Sequence, residues 1–267
     1  MQYPVYLLLV FFCSIASASE REFKIEGIIE PPLRWYEESG EAVGIDIDII
    51  TEALAQMDDL IPNYRIQLYS SSPRLKYNWQ KGKSDMVFTY SHKKERKEYL
   101  HYPKESHIKQ SYNFFVRKDL IASQQASGKD IKFEHYSDLQ GYKLAATKGI
   151  AYTPEFWMYV HEGKLDTFIV VKNELTMNML LGKRVDIIPH NLFPGIWLAK
   201  KGGFLGEISV LPKPLKEKPY FNTFVKRSDY PGIKDLSLIK RYDEVISVMV
   251  QNGSIKRILQ KYGIPSY

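Results

Sequence analysis

The sequence predicts an α/β protein made of two similar units, and three observations point there. Strand-like and helix-like segments alternate along the chain, which favours mainly parallel sheets flanked by helices. A helix-to-strand corner is written twice, at Gly82-Lys83-Ser84-Asp85-Met86 and at Gly182-Lys183-Arg184-Val185-Asp186-Ile187. The 267 residues suffice for one large domain or two modest ones, with an apolar share typical of globular proteins.

The amino terminus departs from this average. Val5 to Ile15 is apolar except for Ser14, and Ala16-Ser17-Ala18 follows as a small-x-small cleavage pattern. A signal peptide over residues 1–18, removed after Ala18, is expected. The run is shorter than the roughly 20 apolar residues of a spanning helix, which argues against an uncleaved anchor. Phe11 and Phe12 precede Cys13, where a lipid-attachment cysteine would follow small residues. Because Cys13 is the only cysteine, the mature chain would hold neither thiol nor disulfide.

In the first unit, Phe23-Lys24-Ile25-Glu26-Gly27-Ile28 alternates as a strand and meets the turn-forming Glu30-Pro31-Pro32. Asp46 and Asp48 open a helix carrying Ile50, Ala53, Leu54 and Met57, at the end where the macrodipole favours acids. Ser72-Pro73 reads as N-cap and first helical residue, Leu75 and Trp79 share a face, and Gly82 ends that helix. A strand over Ser84 to Tyr90 follows. In the second unit Lys143 to Thr147 is strand-like, Gly149 opens a loop, and Thr153-Pro154 starts a helix with Phe156 and Tyr159. Leu175, Met179 and Leu180 make a further helical stripe that Gly182 ends. Ile121 to Asp130 reads as a polar surface loop. Leu238, Tyr242, Val245, Ile246 and Met249 define a long helix, which Asn252-Gly253-Ser254 stops before a short last one.

Ligands of parallel α/β sheets bind beyond the carboxyl ends of the strands. A site is therefore expected after Ile28, Thr89, Thr147 and Ile188. The net charge of +6 comes from scattered Lys and Arg, so a solvated basic surface is expected and not a nucleic-acid interface. HExxH, GxSxG, clustered metal ligands and phosphate-binding glycine loops do not occur in the sequence. No metal or cofactor is expected. Glu155 and His190 are the nearest general-acid candidates and have no evident partners, so an enzyme of this fold, such as a dehydratase, ranks last.

Several short pieces, in order, resemble bacterial solute-binding proteins of family 3, the polar amino-acid receptors of ABC importers that include the glutamine-binding protein. They are Pro32 with Trp35 and Tyr36, Gly44-Ile45-Asp46-Ile47-Asp48, Gly82-Lys83-Ser84-Asp85-Met86, and Glu95-Arg96-Lys97 leading to Tyr102-Pro103. Asp138-Leu139-Gln140-Gly141, Lys148-Gly149, Val185-Asp186 and Asn252-Gly253-Ser254 through Lys261-Tyr262-Gly263 complete the set. The resemblance implies a two-lobed periplasmic-binding-protein-like fold of type II, each lobe a mainly parallel sheet flanked by helices, joined by a two-strand hinge. By it, lobe one is 19–109 plus 222–267 and lobe two 110–221, and closure of the lobes traps the ligand.

The same resemblance makes Arg96 the grip on a ligand carboxylate, a role suited to a planar guanidinium with paired donors. Taken without it, Arg96 is one charge in the run Lys93 to Glu98. The family's Thr before the Arg is Lys93 here, with Thr89 and Ser91 further back. Lys148, Gly149 and Tyr152 match the family's anion-binding turn in lobe two; Gly149 and Tyr152 otherwise only shape a turn and a core contact. The acid that pairs with a ligand ammonium in amino-acid receptors becomes Asn191, after His190, which is either a ligand contact or an ordinary loop residue. An amide accepts a hydrogen bond but cannot neutralise a cation, so a carboxylate without the amine competes with an amino acid as ligand. Trp35 and Tyr90 are the best aromatic contacts, Arg74 a second anion contact, and Glu30 a source of negative charge.

The expected function is capture of an amino acid or related carboxylate by a monomeric periplasmic receptor that serves an ABC permease or a membrane sensor.

Overall fold

Parallel pairing follows from where the helices fall, because each returns the chain to the same end of the sheet before the next strand begins. The computed structural model describes residues 21–150 and 152–264, and the expected signal over residues 1–18 lies outside them. In chain order come β1 (Phe23–Ile28), the short hairpin β2 (Trp35–Tyr36) and β3 (Ala42–Val43), α1 (Ile45–Leu54), β4 (Tyr64–Tyr69), α2 (Ser72–Gln80), β5 (Met86–Tyr90), the single turn α3 (Lys94–Lys97) and β6 (Leu100–His101). A ten-residue strand, β7 (Ile108–Arg117), leads into α4 (Lys118–Ala126), β8 (Lys143–Thr147), α5 (Pro154–His161), β9 (Asp166–Val170), α6 (Asn173–Leu181), β10 (Ile187–Asn191), α7 (Leu192–Lys201) and β11 (Ile208–Val210). A second long strand, β12 (Lys216–Val225), returns the chain to α8 (Ser237–Gln251) and α9 (Ser254–Lys261).

The strands lie in the order β4-β1-β5-β12-β7-β10-β8-β9. Strand β1 is parallel to β4 and β5, and β8 is parallel to β9 and β10. The two lobes meet only through β7 and β12 in this order. Strand β12 pairs with β5 through Phe221–Phe224 and with β7 through Lys216–Tyr220, with its register shifting between Phe221 and Thr223. Strand β7 pairs with β12 through Ile108–Tyr112 and with β10 through Tyr112–Val116.

Each half-sheet is buried on both faces except at its edges, where β9 leaves Phe168 and Ile169 exposed. Beneath one face of the first lie Ile49, Ile50 and Ala53 of α1 with Tyr242, Val245 and Ile246 of α8; Leu75 and Trp79 of α2 cover the other with Val87 and Val225. In the second, Phe114 packs with Tyr152 and Phe156 on one side, while its neighbour Phe115 packs with α6 and α7 on the other. At one side of the molecule α7 also touches the opposite lobe. Trp197 lies 4.9 Å from Trp35 and 6.5 Å from Tyr262, ring centre to ring centre, and Lys200 Nζ donates to Lys261 O at 3.3 Å.

Four local expectations change. Residues 121–130 are not a loop throughout, since α4 runs to Ala126 before Gly128 takes a positive φ; its Lys, Leu, Ala and Gln residues favour a helix, but Leu120 and Ile121 give it only a thin apolar edge. The N-cap position of α2 is Ser71, one residue before Ser72 and without a side-chain capping bond, and Gly82 follows the helix with φ 69°. In the matching corner Gly182 is still right-handed and Lys183 takes the left-handed place at φ 57°, so the two corners are offset by one residue. Leu175 also falls on the exposed side of α6, whose buried apolar residues are Met177 and Leu180. Thr153 does cap α5, its Oγ1 accepting from Phe156 N at 3.0 Å.

Candidate functional site

The loop leaving β1 carries Glu30, whose charge acts on the Tyr112 and Tyr220 phenols, and turns Arg34 back into lobe one. Arg34 crosses β1 at Gly27, where a Cβ would stand 2.8 Å from its Nε, so the missing side chain makes its room. Its guanidinium pairs with Asp46, buried at the start of α1, and with Glu30 at 3.1 Å. Thr89 Oγ1 donates to the same Asp46 carboxylate at 2.5 Å, and His107 Nε2 approaches its other oxygen at 3.3 Å. Burial by itself would raise the Asp46 carboxyl; the Arg34 charge, with hydrogen bonds from His107 and Thr89, holds it below the ordinary carboxylate range. Glu30 is displaced the other way, pushed up by burial and by Asp46 against the pull of Arg34.

Thr89 ends β5 with φ 55°, a conformation that costs a β-branched residue energy and persists only where its surroundings enforce it. The Asp46 bond and a second from Thr89 N to Asn222 Oδ1 at 3.3 Å supply that restraint. Just beyond, Ser91 O accepts from Arg96 Nη1 and from Tyr102 OH, both at 3.1 Å. The Arg96 guanidinium also lies 4.0 Å over the Tyr90 ring, a cation–π distance. Arg96 and Tyr90 thus form one wall of a cavity of about 510 Å³, with Ile28, Ser72, Pro73, Lys76, Trp79 and Glu95 as the rest.

A second cavity, about 200 Å³, opens on the hinge strands. Side chains two apart on a strand share a face. Lys216, Lys218 and Tyr220 of β12 therefore point with Gln110 and Tyr112 of β7, and the register sets Lys216 opposite Tyr112 and Lys218 opposite Gln110. Ser91 and Lys93 close the cavity from lobe one and Asn191 from lobe two. Asn191 is tied in place: Oδ1 accepts from Phe193 N, capping α7, and Nδ2 donates to Gln110 Oε1, both at 3.3 Å. This crevice, with donors from both lobes and from the hinge, suits a small polar guest that carries negative charge.

The model of the bacterial extracellular solute-binding proteins, family 3, matches residues 28–265. The chain belongs to that family. The architecture agrees. Substrate-binding domain 2 of GlnP from Lactococcus lactis, in its open conformation, superimposes with a TM-score of 0.70 at 16% identity, over 91% of this chain and 96% of that one. A polar amino acid ABC uptake transporter substrate-binding protein from Streptococcus thermophilus gives 0.67 at 18% identity, over 90% and 85%. A histidine kinase sensor domain with similarity to periplasmic binding proteins gives 0.56 at 16% identity, over 91% and 96%. No curated protein sequence matches the chain. Membership in a solute-binding family implies an extracytoplasmic protein, and among the described residues no helix is long and apolar enough to cross a membrane.

Against this family background the residues expected from sequence scatter. Arg96 and Tyr90 line the larger cavity, and Ser91 and Asn191 the hinge cavity. Arg74 stacks 4.9 Å over Tyr69 and lines neither. Trp35 is turned into the contact with Trp197, its Nε1 bonded to Glu37 at 3.0 Å. Tyr152 is buried, its hydroxyl accepting from Thr147 N and donating to Pro189 O, both at 3.3 Å; this braces the lobe-two loop from within. Gly149 has φ 80° with open space around it, so backbone conformation and not crowding calls for glycine there, and Lys148 beside it is exposed. His190 is buried, with Asn173 Nδ2 donating to its Nε2 at 2.9 Å and its Nδ1 donating to Asn191 O at 3.0 Å. Sequence reading missed Arg34, His107 and the hinge residues. The alternation Lys216-Glu217-Lys218-Pro219-Tyr220 was the available signal for the last group.

Proposed function

We propose that this family 3 protein captures a small polar metabolite, an amino acid or a related carboxylate, between its lobes and delivers it to an ABC transporter. The observation that carries the reading is the hinge cavity, because Ser91 and Lys93 of one lobe and Asn191 of the other reach it together with Gln110, Tyr112 and the β12 lysines. The strand pairing supports lobe one as 19–109 plus 222–267 and lobe two as 110–221. Lobe closure about β7 and β12 would then complete the site. Export through a cleaved signal over residues 1–18 and a monomeric state belong to the same proposal.

Arg96 is the anchor for a carboxylate. Its stack on Tyr90 and its bond to Ser91 O hold the guanidinium in place and leave further donors for a ligand. Thermal shift with a panel of amino acids, organic acids and short peptides tests the reading. A ligand at about 100 times its dissociation constant should add about 2.7 kcal/mol of stability; no shift across the panel would reject the receptor. Arg96→Ala should cost roughly 2 to 5 kcal/mol of binding, measured by calorimetry with the best ligand. The shared fold of the histidine kinase sensor domain supports a second reading, a receptor that reports to a membrane sensor. Capture of a permease or of a sensor by the ligand-loaded protein separates the two.

A further inference from the structure

The two ends of the strand order are finished differently. At the lobe-one end, β4 carries Arg65 and Gln67 at exposed positions, and Leu68 N donates to Tyr36 OH at 2.9 Å, so charge and a hairpin residue guard that edge. At the lobe-two end, β9 pairs with β8 alone among the described residues. Phe168, Ile169 and Val171 are exposed there, Val171 to 75%. The run Phe168-Ile169-Val170-Val171 holds neither a charge nor a proline to discourage another strand.

The backbone parity of this edge is fixed. Lys148 N donates to Val170 O at 2.8 Å, and in a parallel ladder alternate residues turn both N–H and C=O to the same neighbour. Asp166, Phe168 and Val170 therefore face β8. Thr167, Ile169 and Val171 turn their backbone groups outward, where no described residue bonds them. A second β9 laid antiparallel, with Ile169 opposite Ile169 on a two-fold axis, matches this parity. Thr167 of each copy then falls opposite Val171 of the other, and the outward groups of all three residues find partners.

The same register suits the side chains. Phe168 falls opposite Val170, which brings exposed apolar surface together, and Asp166 falls opposite Lys172 at both ends, an opposite-charge pair on one face. Both charged residues are exposed. Lys172 keeps extended angles, φ −119° and ψ 129°, where the chain turns into α6, and its long side chain reaches from there. Centring the pair on Thr167 instead sets Asp166 opposite Phe168, and centring it on Val171 sets Lys172 opposite Val170. Charge complementarity thus belongs to one register.

We infer that β9 is a dimerisation edge, on which two copies of this chain join their lobe-two sheets by antiparallel pairing centred on Ile169, with Asp166 and Lys172 setting the register. Because both copies use the same edge, the assembly closes at two. A contact of one short strand lies at the small end of protein interfaces, so the chain is a monomer when dilute and a pair when concentrated. The pairing goes beyond the receptor reading and does not depend on what the cleft holds.

Sedimentation equilibrium of the purified protein over a concentration series is the test. The mass should rise from that of one chain towards that of two, with a dissociation constant between about 1 μM and 1 mM. Ile169→Lys sets two ammonium groups face to face at the axis and should weaken association at least about tenfold. Asp166→Lys and Lys172→Asp, each alone, oppose like charges and should weaken it several-fold, and the double reversal should restore it. The reversals lie at exposed positions, so this readout stands even where Ile169→Lys does not fold. A single-chain mass throughout the series would overturn the inference. Association that survives Ile169→Lys, or that ignores the single reversals, would overturn it as well, since it would mark a different face or an unspecific apolar contact.

Discussion

Two cationic regions adjoin the cleft, and they are built in opposite ways. Beneath the first loop, Arg34 is almost fully buried between Asp46 and Glu30, with His107 and Thr89 completing the shell of Asp46. At the hinge, Lys93, Lys216 and Lys218 face a cavity that no Asp or Glu lines. The first region is electrically closed. It ties the loop after β1, the start of α1, the end of β5 and the residue before β7 into one unit, and so sets the geometry of lobe one's side of the cleft. The second region lines a crevice between the hinge strands and the two lobes, with Lys216 and Lys218 on one face of β12. Charge buried inside a lobe thus serves architecture, because the chain supplies its own counter-ion, whereas charge at the crevice stays within reach of solvent.

The largest effect that could break this contrast is loss of Asp46. Asp46→Asn leaves the Arg34 guanidinium buried without its main counter-ion, and removing one partner of a buried pair costs roughly 3 to 5 kcal/mol. Denaturant unfolding should show stability falling by that measure, whereas Lys218→Gln, on the exposed part of β12, should leave it nearly unchanged. Equal effects at both places would erase the distinction. Gly27→Ala should act next in size. Its new Cβ would stand 2.8 Å from Arg34 Nε and 2.9 Å from Phe88 Cδ2, and such overpacking typically costs about 1 to 3 kcal/mol.

A pH series sharpens the contrast within the closed region itself. The Asp46 pKa is held below its ordinary value of 3.8, so the stabilisation it carries is complete above that pH and is lost as pH falls through the lower folded value. Acid unfolding should therefore steepen below about 3.8 in the wild type, and the steepening should be smaller in Asp46→Asn. Glu30 has the opposite sign. Its pKa is raised above 4.5, so its ionisation opposes folding at neutral pH and that penalty disappears in acid. At pH near 7 Glu30→Gln should be neutral or slightly stabilising, measured by the same unfolding midpoint. At the interlobe contact, Trp197→Ala removes one member of a half-buried aromatic pair, worth about 0.5 to 1.5 kcal/mol beyond area and read by the same midpoint.

Much of the fold was legible because it is local. Apolar period two in Phe23–Ile28, the cap at Thr153, the stripe of α8 and the turn at Gly253 each lie within a few residues of one another, and the helices between the strands force parallel pairing. The weak periodicity of α4 hid a helix for the same local reason, since its apolar side is only partly covered. Arg96 was legible through family resemblance, and its place beside Ser91 and Tyr90 came from folding.

What the sequence determined by itself was the order of strands and helices, the two-unit plan and the family, all of which depend on patterns carried by neighbouring residues. The tertiary structure alone decided which charges meet. Glu30, Arg34, Asp46, Thr89 and His107 are spread over three segments, and Ser91 finds Lys216 only because β12 returns between β5 and β7. The face that Lys216 and Lys218 share was written in their spacing, but the direction of that face was not. A strand's alternation says which residues go together, and only its pairing partners decide whether they look into a core, into solvent or into a cleft.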